Sequence, residues 1–238
     1  MDHFRITQTA AGFHVEGFPD ASKVIRISGP KGRRLSDLAL HKSDLDFATH
    51  CLDAINKVQD DPAVLRQALW RSAVTHYMKC FGDPGVRFQL DAQDIYKGDA
   101  DALLAFDYFK HLRNKHLLHD ENAYAQGLPG AILNQRGRPY KIAKIVCLSA
   151  IAETLVQGNY SNLHLLVDIA RKWVGRQFDE LCDLLTAELE PLSYEDLDAR
   201  EAMIYTVPAL DELRKLRKTV ALTRSDRYTV AHTIALRG

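Results

Sequence analysis

The chain has 238 residues, enough for one large domain or two small ones with a real core. Lys+Arg and Asp+Glu both number 31, so net charge names no partner, and any basic surface must come from arrangement. Hydrophobic residues make up 46% and charged residues 26%, which argues against disorder, and no apolar run approaches the ~20 residues of a membrane-spanning helix. The start, "MDHFRITQTAAGFHVEG", lacks the cationic opening and unbroken apolar run of a signal peptide, so a cytoplasmic protein with no membrane partner is expected. Cys51, Cys80, Cys147 and Cys182 form no CxxC pair, and three of them, as in "KIVCLSAI", read as small buried hydrophobes.

Residues 3–28 read as short extended pieces, "HFRITQT", "FHVEGF" and "KVIRIS", separated by glycines and Pro19. "GPKGRR" (Gly29–Arg34) is a breaker cluster and predicts a loop; it lacks the order of a phosphate-cradling loop. Ser43 predicts a helix start, with Leu45, Ala48, Leu52, Ile55 and Val58 on its inner stripe. Pro62 opens a second helix carrying Val64, Leu65, Ala68, Leu69, Val74 and Met78, which stops at "FGDPG". Asp99 opens a third, whose apolar face holds Leu103, Leu104, Phe106, Tyr108, Phe109 and Leu112. "AILNQ" and "KIAKIVCL" around "RGRPY" predict a strand–turn–strand. The longest helix is expected from about Ser161 to Glu190, with Leu166, Ile169, Trp173, Phe178, Leu181 and Leu185 inward and Pro191 at its end. A capped segment, "SYEDLDAREAMIYTV", and a basic one, "DELRKLRKTVALTRSDRY", close the chain.

Four amphipathic segments point to a mainly α protein, a four-helix bundle with small β additions. The expected division is 1–40 (short strands and a loop), 41–192 (the bundle, with a hairpin inserted at 130–150) and 193–238 (a helical, basic tail). Trp70 and Trp173 lie on apolar stripes and read as core. His41, His50, His76 and His164 are isolated in sequence and read as packed or surface residues.

The end of the third helix, "RNKHLLHD", gathers Arg113, Asn114, Lys115, His116, His119 and Asp120. A histidine titrates near neutrality and can move a proton at working pH, whereas arginine stays charged and fits phosphate oxygens with two donors. Around one phosphodiester such a pair can cleave RNA without metal: the base takes the 2′-OH proton and the cation stabilises the phosphorane-like transition state. Arg113 and His119 are six residues apart, roughly 120° out of line on a regular helix. For the two to act together, the helix must end near Leu118 or a second molecule must supply the missing partner. The same residues also suit a helix C-terminus, where cations complement the dipole. A metal site at His111, His116, His119 and Asp120 is the chemical rival, but the i, i+4 spacing of HExxH is absent, and no metal or other cofactor is expected.

"RNKHLLHDEN" resembles the signature of the HEPN superfamily, an arginine commonly followed by Asn or Asp and then a histidine a few residues on, late in a bundle helix. Lys115 and the acidic residues after His119 look most like the branch associated with abortive infection of bacteria by phage. The resemblance implies a bundle that dimerises so that two motif helices meet in one cleft. It also implies a metal-independent endoribonuclease in phage defence or a toxin–antitoxin system, with an antitoxin or defence protein as a further partner. Carried over, His119 is the general base or acid, Arg113 stabilises the phosphate and Asn114 orients one of them. Lys115, His116 and Asp120 support these three. Other members only bind RNA, nucleotides or protein, so a non-catalytic binding module is the alternative. Separately, Arg136, Arg138, Lys141 and Lys144 cluster at the expected turn with Tyr140, a pattern that suits RNA phosphates and one stacked base, or only a solvated hairpin.

Overall fold

The computed structural model describes residues 3–9, 12–57, 63–82, 87–119, 121–203 and 234–237. It is mainly helical: α1 (Gly29–Lys57), α2 (Ala63–Lys79), α3 (Ala92–Ile95), α4 (Ala100–Leu112), α5 (Gln157–Leu189) and α6 (Tyr194–Asp198). The strands are β1 (His3–Thr9), β2 (Gly12–Val15), β3 (Ala125–Leu133), β4 (Ile142–Ile151) and β5 (Ile234–Arg237). Val58, Pro62, Asp120, most of "FGDPG" and the basic tail segment with Arg214, Lys215, Arg217 and Lys218 lie outside the described residues. Among the described residues no helix is long and apolar enough to cross a membrane. The chain divides into two compact units, Met1–Leu35 with Glu180–Gly238, and Ser36–Asp179.

In the first unit β1 lies between β2 and β5, antiparallel to both. "KVIRIS" forms no strand of its own; Ile25 bridges Ala202, Arg26 N donates to Glu201 O at 2.7 Å, and Met203 N donates to Val24 O at 2.8 Å. "GPKGRR" is not a loop but the first turns of α1. The breakers act as helix starters: Gly29 takes a φ of +87° to turn the chain, and Pro30 sits where its missing N–H is not needed. Gly32 is required by proximity, since a Cβ there would lie 2.1 Å from the carbonyl oxygen of Ile27. Ser43 therefore sits inside a helix, not at its cap. Ser193 does cap α6, accepting from Asp196 N at 3.1 Å.

The second unit holds the main core. On α1 the expected stripe is buried at Leu45, Ala48, Leu52 and Ile55. On α2 the stripe is rotated: Val64, Leu65 and Ala68 are exposed, while Trp70, Ala73, Val74, Tyr77 and Met78 are buried. On α5 this unit's buried residues are Leu163, Leu166, Val167, Ala170 and Val174, with Ile169 and Trp173 only half-buried. Trp70 packs edge-on against Phe109 and donates Nε1–H to Thr154 Oγ1 at 3.0 Å, so its one polar atom is satisfied. Tyr96 donates to Leu166 O at 3.0 Å, which leaves its oxygen to accept from Tyr77 at 2.6 Å.

A polar spine on α1 holds the strap Arg87–Leu90. Asp37 accepts from Phe88 N at 3.2 Å, and His41 Nε2 lies 2.8 Å from Phe88 O. A carbonyl only accepts, so Nε2 carries the proton and Nδ1, which is buried with no partner, is a bare lone pair. Burial, the largest influence, lowers the His41 pKa to about 4. Asp44, one turn further on, accepts from Arg87 at 2.5 Å, His76 Nδ1 at 2.8 Å and Lys79 at 3.1 Å. Burial alone would raise the Asp44 carboxyl, but these hydrogen bonds outweigh it and hold it low. His76 is thus partnered rather than isolated. Cys51 and Cys80 are buried, but Cys147 is exposed because its strand stands clear of the core.

Two predictions follow from these contacts. Because the folded His41 pKa lies below its unfolded value of about 6.5, the unfolded chain binds the extra proton. Stability in urea titrations should therefore be full above about pH 6.5 and fall by up to roughly 3 kcal/mol towards pH 4. His41→Gln should flatten that slope, and an unchanged slope would assign it elsewhere. Gly32→Ala should lower thermal stability by about 1–3 kcal/mol through the clash with Ile27 O, whereas Gly158→Ala, with open space around it, should not.

Candidate functional site

Asp99 starts α4 as expected, its side chain accepting from Ala102 N at 2.9 Å. Phe109 and Leu112 bury the inner face of α4, while Leu104 is exposed. The helix then widens. Arg113–Leu117 form a π turn, closed by Leu118 N donating to Arg113 O at 3.1 Å, and Leu118 is the end of the helix. One of the two conditions set by the Arg113–His119 spacing is therefore met. A π turn adds a residue to the ring and redirects the chain, and such turns concentrate at functional sites.

The motif residues fall into an inner and an outer group. Arg113 is half-buried, and its Nη1 donates to Asn114 Oδ1 at 2.7 Å. His116 is buried, with Tyr124 edge-on at 5.5 Å between ring centroids. Arg113 Nε and His116 Nδ1 are both buried without a hydrogen-bond partner. The only other such side-chain atom among the described residues is His41 Nδ1. Unsatisfied buried groups cost about 1–3 kcal/mol each, so two within one turn of the motif call for an explanation.

Lys115 and His119 are exposed. Lys115 pairs with Glu121, and that hydrogen bond is the main reason the Glu121 carboxyl titrates below its usual range. His119 follows the helix end. Among the described residues no hydrogen bond or ion pair joins it to Arg113. Asp120 lies outside the described residues. Chemically, the site offers an exposed imidazole and a half-buried guanidinium held at one nitrogen by an amide. Among the described residues no group of three His, Cys, Asp or Glu side chains is arranged to hold a metal ion.

Arg136, Arg138, Tyr140, Lys141 and Lys144 are all exposed at or next to the turn between β3 and β4. Gly137 takes a φ of +88° there, and Asn134 ties the turn together through Lys141 O and Tyr140 O. The hairpin is longer than expected, Ala125–Leu133 and Ile142–Ile151. Its base is anchored at the motif by Ala152 N donating to Tyr124 O at 2.7 Å. Its turn is a full strand length away, about 30 Å, so one chain does not bring its own basic turn to Arg113 and His119.

Sequence reasoning missed the Asp44–His76–Lys79–Arg87 cluster, because its members come from three segments with no shared spacing. It also missed the burial of His116, for which the apolar Leu112 one turn earlier was the available signal. No family model, no curated protein and no solved structure matches this chain.

Since His119 is exposed and His116 buried, their truncations should differ. His116→Ala should lower unfolding free energy by about 1–3 kcal/mol, and His119→Ala should stay within about 0.5 kcal/mol. Urea titration of both variants checks this; equal losses would contradict the inner and outer placement.

Proposed function

We propose that the chain is a metal-independent endoribonuclease of the HEPN type, working in the cytoplasm as a homodimer. His119 takes the proton from the ribose 2′-OH, whose oxygen attacks the adjacent phosphorus. The 5′-oxygen leaves and is reprotonated, and the product ends in a 2′,3′-cyclic phosphate. Arg113 stabilises the charge that builds on the phosphoryl oxygens, and Asn114 fixes the guanidinium through its amide. His116 supports from behind, with Lys115 at the rim. The exposed cations of the β3–β4 turn hold RNA phosphates, and Tyr140 stacks a base. A four-helix HEPN-like bundle is part of this reading, supported by the buried faces that α1, α2, α4 and α5 share in the second unit. A phage-defence or toxin–antitoxin setting, with a neutralising partner, rests on the motif resemblance alone.

The observation that carries the reading is the pair of unpartnered buried nitrogens, Arg113 Nε and His116 Nδ1, beside an exposed His119 just past a helix that ends by a π turn. Nε has almost no accessible surface, so an anion arriving at this site meets the rest of the half-buried guanidinium first and reaches Nε only if the turn gives way. The half-burial of Arg113 also favours a second reading, a non-catalytic helical module whose Arg/His cluster serves binding only.

Purified protein with RNA and EDTA separates the two. The enzyme should cut, and His119→Ala should lose about 10²–10⁴-fold in rate with the fold intact. Arg113→Lys should lose about 10²-fold, because a lysine cannot present two parallel donors. Undiminished cutting by both variants would remove these residues from the mechanism, and activity that EDTA abolishes and zinc restores would favour metal chemistry.

A further inference from the structure

The β3–β4 hairpin is an arm rooted at the motif and cationic at its far end. From Ala125 to Ala152 it contains no acidic residue, and Arg136, Arg138, Lys141 and Lys144 all lie at or near the turn. All four are exposed, and among the described residues none is held in an ion pair. The root carries Arg113, Lys115 and His119. The carboxylates beside it are engaged: Glu121 pairs with Lys115, and Glu153 accepts from Gln67 and from Leu155 N.

Between these ends the strands offer uncharged surface on both faces. Leu128 opposite Leu148 lies on one face, and Ala131 opposite Ile145 on the other. Leu128, Leu148 and Ile145 are 48%, 64% and 70% exposed, and Lys144 is the sole charge on either strand. An exposed tyrosine marks each end, Tyr124 at the root and Tyr140 beside the turn. Cations track a phosphate backbone, and aromatic and apolar side chains accept nucleobases without regard to sequence.

We propose that the hairpin is a track for unpaired RNA, which runs from the phosphodiester at Arg113 and His119 to the cations of the turn. The substrate is then single-stranded RNA long enough to reach both. Each arm is rooted at its own motif through Tyr124, which packs on His116. In a homodimer whose two motif helices meet, both turns therefore stand about 30 Å from the shared cleft, and each acts on it only through the RNA that it holds. That span is about nine nucleotides at the stacked spacing and roughly five when the strand is stretched. The near end of the track rests on the nuclease reading; length-dependent binding along the arm does not.

The chemistry also selects an unpaired strand. The attacking 2′-oxygen must come into line with the leaving 5′-oxygen, an alignment that a stacked A-form helix denies. A lipid surface fits the arm less well. An arm that enters a bilayer leads with apolar residues and keeps its cations behind at the headgroups, whereas here the cations lead.

Anisotropy titrations with 2′-O-methylated oligoribonucleotides of four to fourteen nucleotides test this on the full chain. The Kd should fall at least about tenfold in a step between roughly five and nine nucleotides, where one strand first engages both ends. Arg136→Ala/Arg138→Ala, which changes only exposed side chains, should remove the step. Deleting the opposed pairs Gly127/Ser149 and Leu128/Leu148 shortens the arm by about 7 Å, and should move the step one or two nucleotides shorter. The double variant decides even where the shortened arm does not fold. No step overturns the track, as does a step that survives the double variant or stays in place on the shortened arm. Binding to anionic vesicles with none to the longest oligonucleotide also overturns it. If the wild type cuts no RNA but the step is present and needs the two arginines, the nuclease reading falls and the track stands. If it cuts RNA of four and of twelve nucleotides with equal kcat/KM, the track falls and the nuclease reading stands.

Discussion

One hydrogen bond, from the amide of Leu118 to the carbonyl of Arg113 at 3.1 Å, organises the region to which the functional proposal refers. A regular α-helix would have passed that amide to Asn114. By reaching back one residue further, it widens the last turn and stops the helix before His119. The chain leaves in a new direction, and Glu121 N donates to Lys115 O at 2.9 Å as it goes. Tyr124 then settles on His116, and β3 begins at the next residue. The motif, the helix end and the root of the hairpin are thus consequences of one irregular turn.

Two clusters of titratable groups among the described residues of the second unit, at Asp44 and at the motif, differ in how well they are satisfied. Asp44 receives Arg87, His76 and Lys79, and its carboxyl stays ionised against a burial penalty that works the other way. Such a network rigidifies a strap and leaves little for a ligand to do. The motif is the reverse case. Arg113 has one nitrogen held and another buried without a partner, and His116 has a buried nitrogen in the same condition. Each deficit costs about 1–3 kcal/mol in the unliganded chain, which is of the order that an incoming phosphate could return. The contrast is the reason the proposed chemistry is placed at Arg113–His119 and not at the better-connected Asp44.

Much of this was readable from the residues. Helical periodicity located α1, α2, α4 and α5, and Asp99 and Ser193 marked two starts, because a short side chain that accepts from the first turn is a local signal. "GPKGRR" misled because glycine and proline punctuate both loops and helix starts, and only Gly29's positive φ and the tight approach of Gly32 to Ile27 separate the cases. The face of α2 was misread since Val64 and Leu65 are apolar yet exposed, so the true stripe through Trp70, Ala73 and Tyr77 is set by neighbours remote in sequence. Cys147 looked buried because "KIVCLSAI" is apolar, but apolar composition does not say what covers a strand. The motif was visible as a string of residue types. Its division into a buried His116 and an exposed His119 was not, because that depends on a π turn for which propensity gives no cue.

The central claim is that Arg113 and His119 meet one phosphodiester together. The most direct measurement is a nuclear magnetic resonance titration of isotope-labelled protein with an oligoribonucleotide whose 2′-hydroxyls are methylated, so that it binds without being cut. The account predicts that the His119 ring signals and the Arg113 Nε–H signal shift together along one saturation curve. Shifts confined to Arg136, Arg138 and Lys141, with Arg113 and His119 unmoved at saturation, would contradict it.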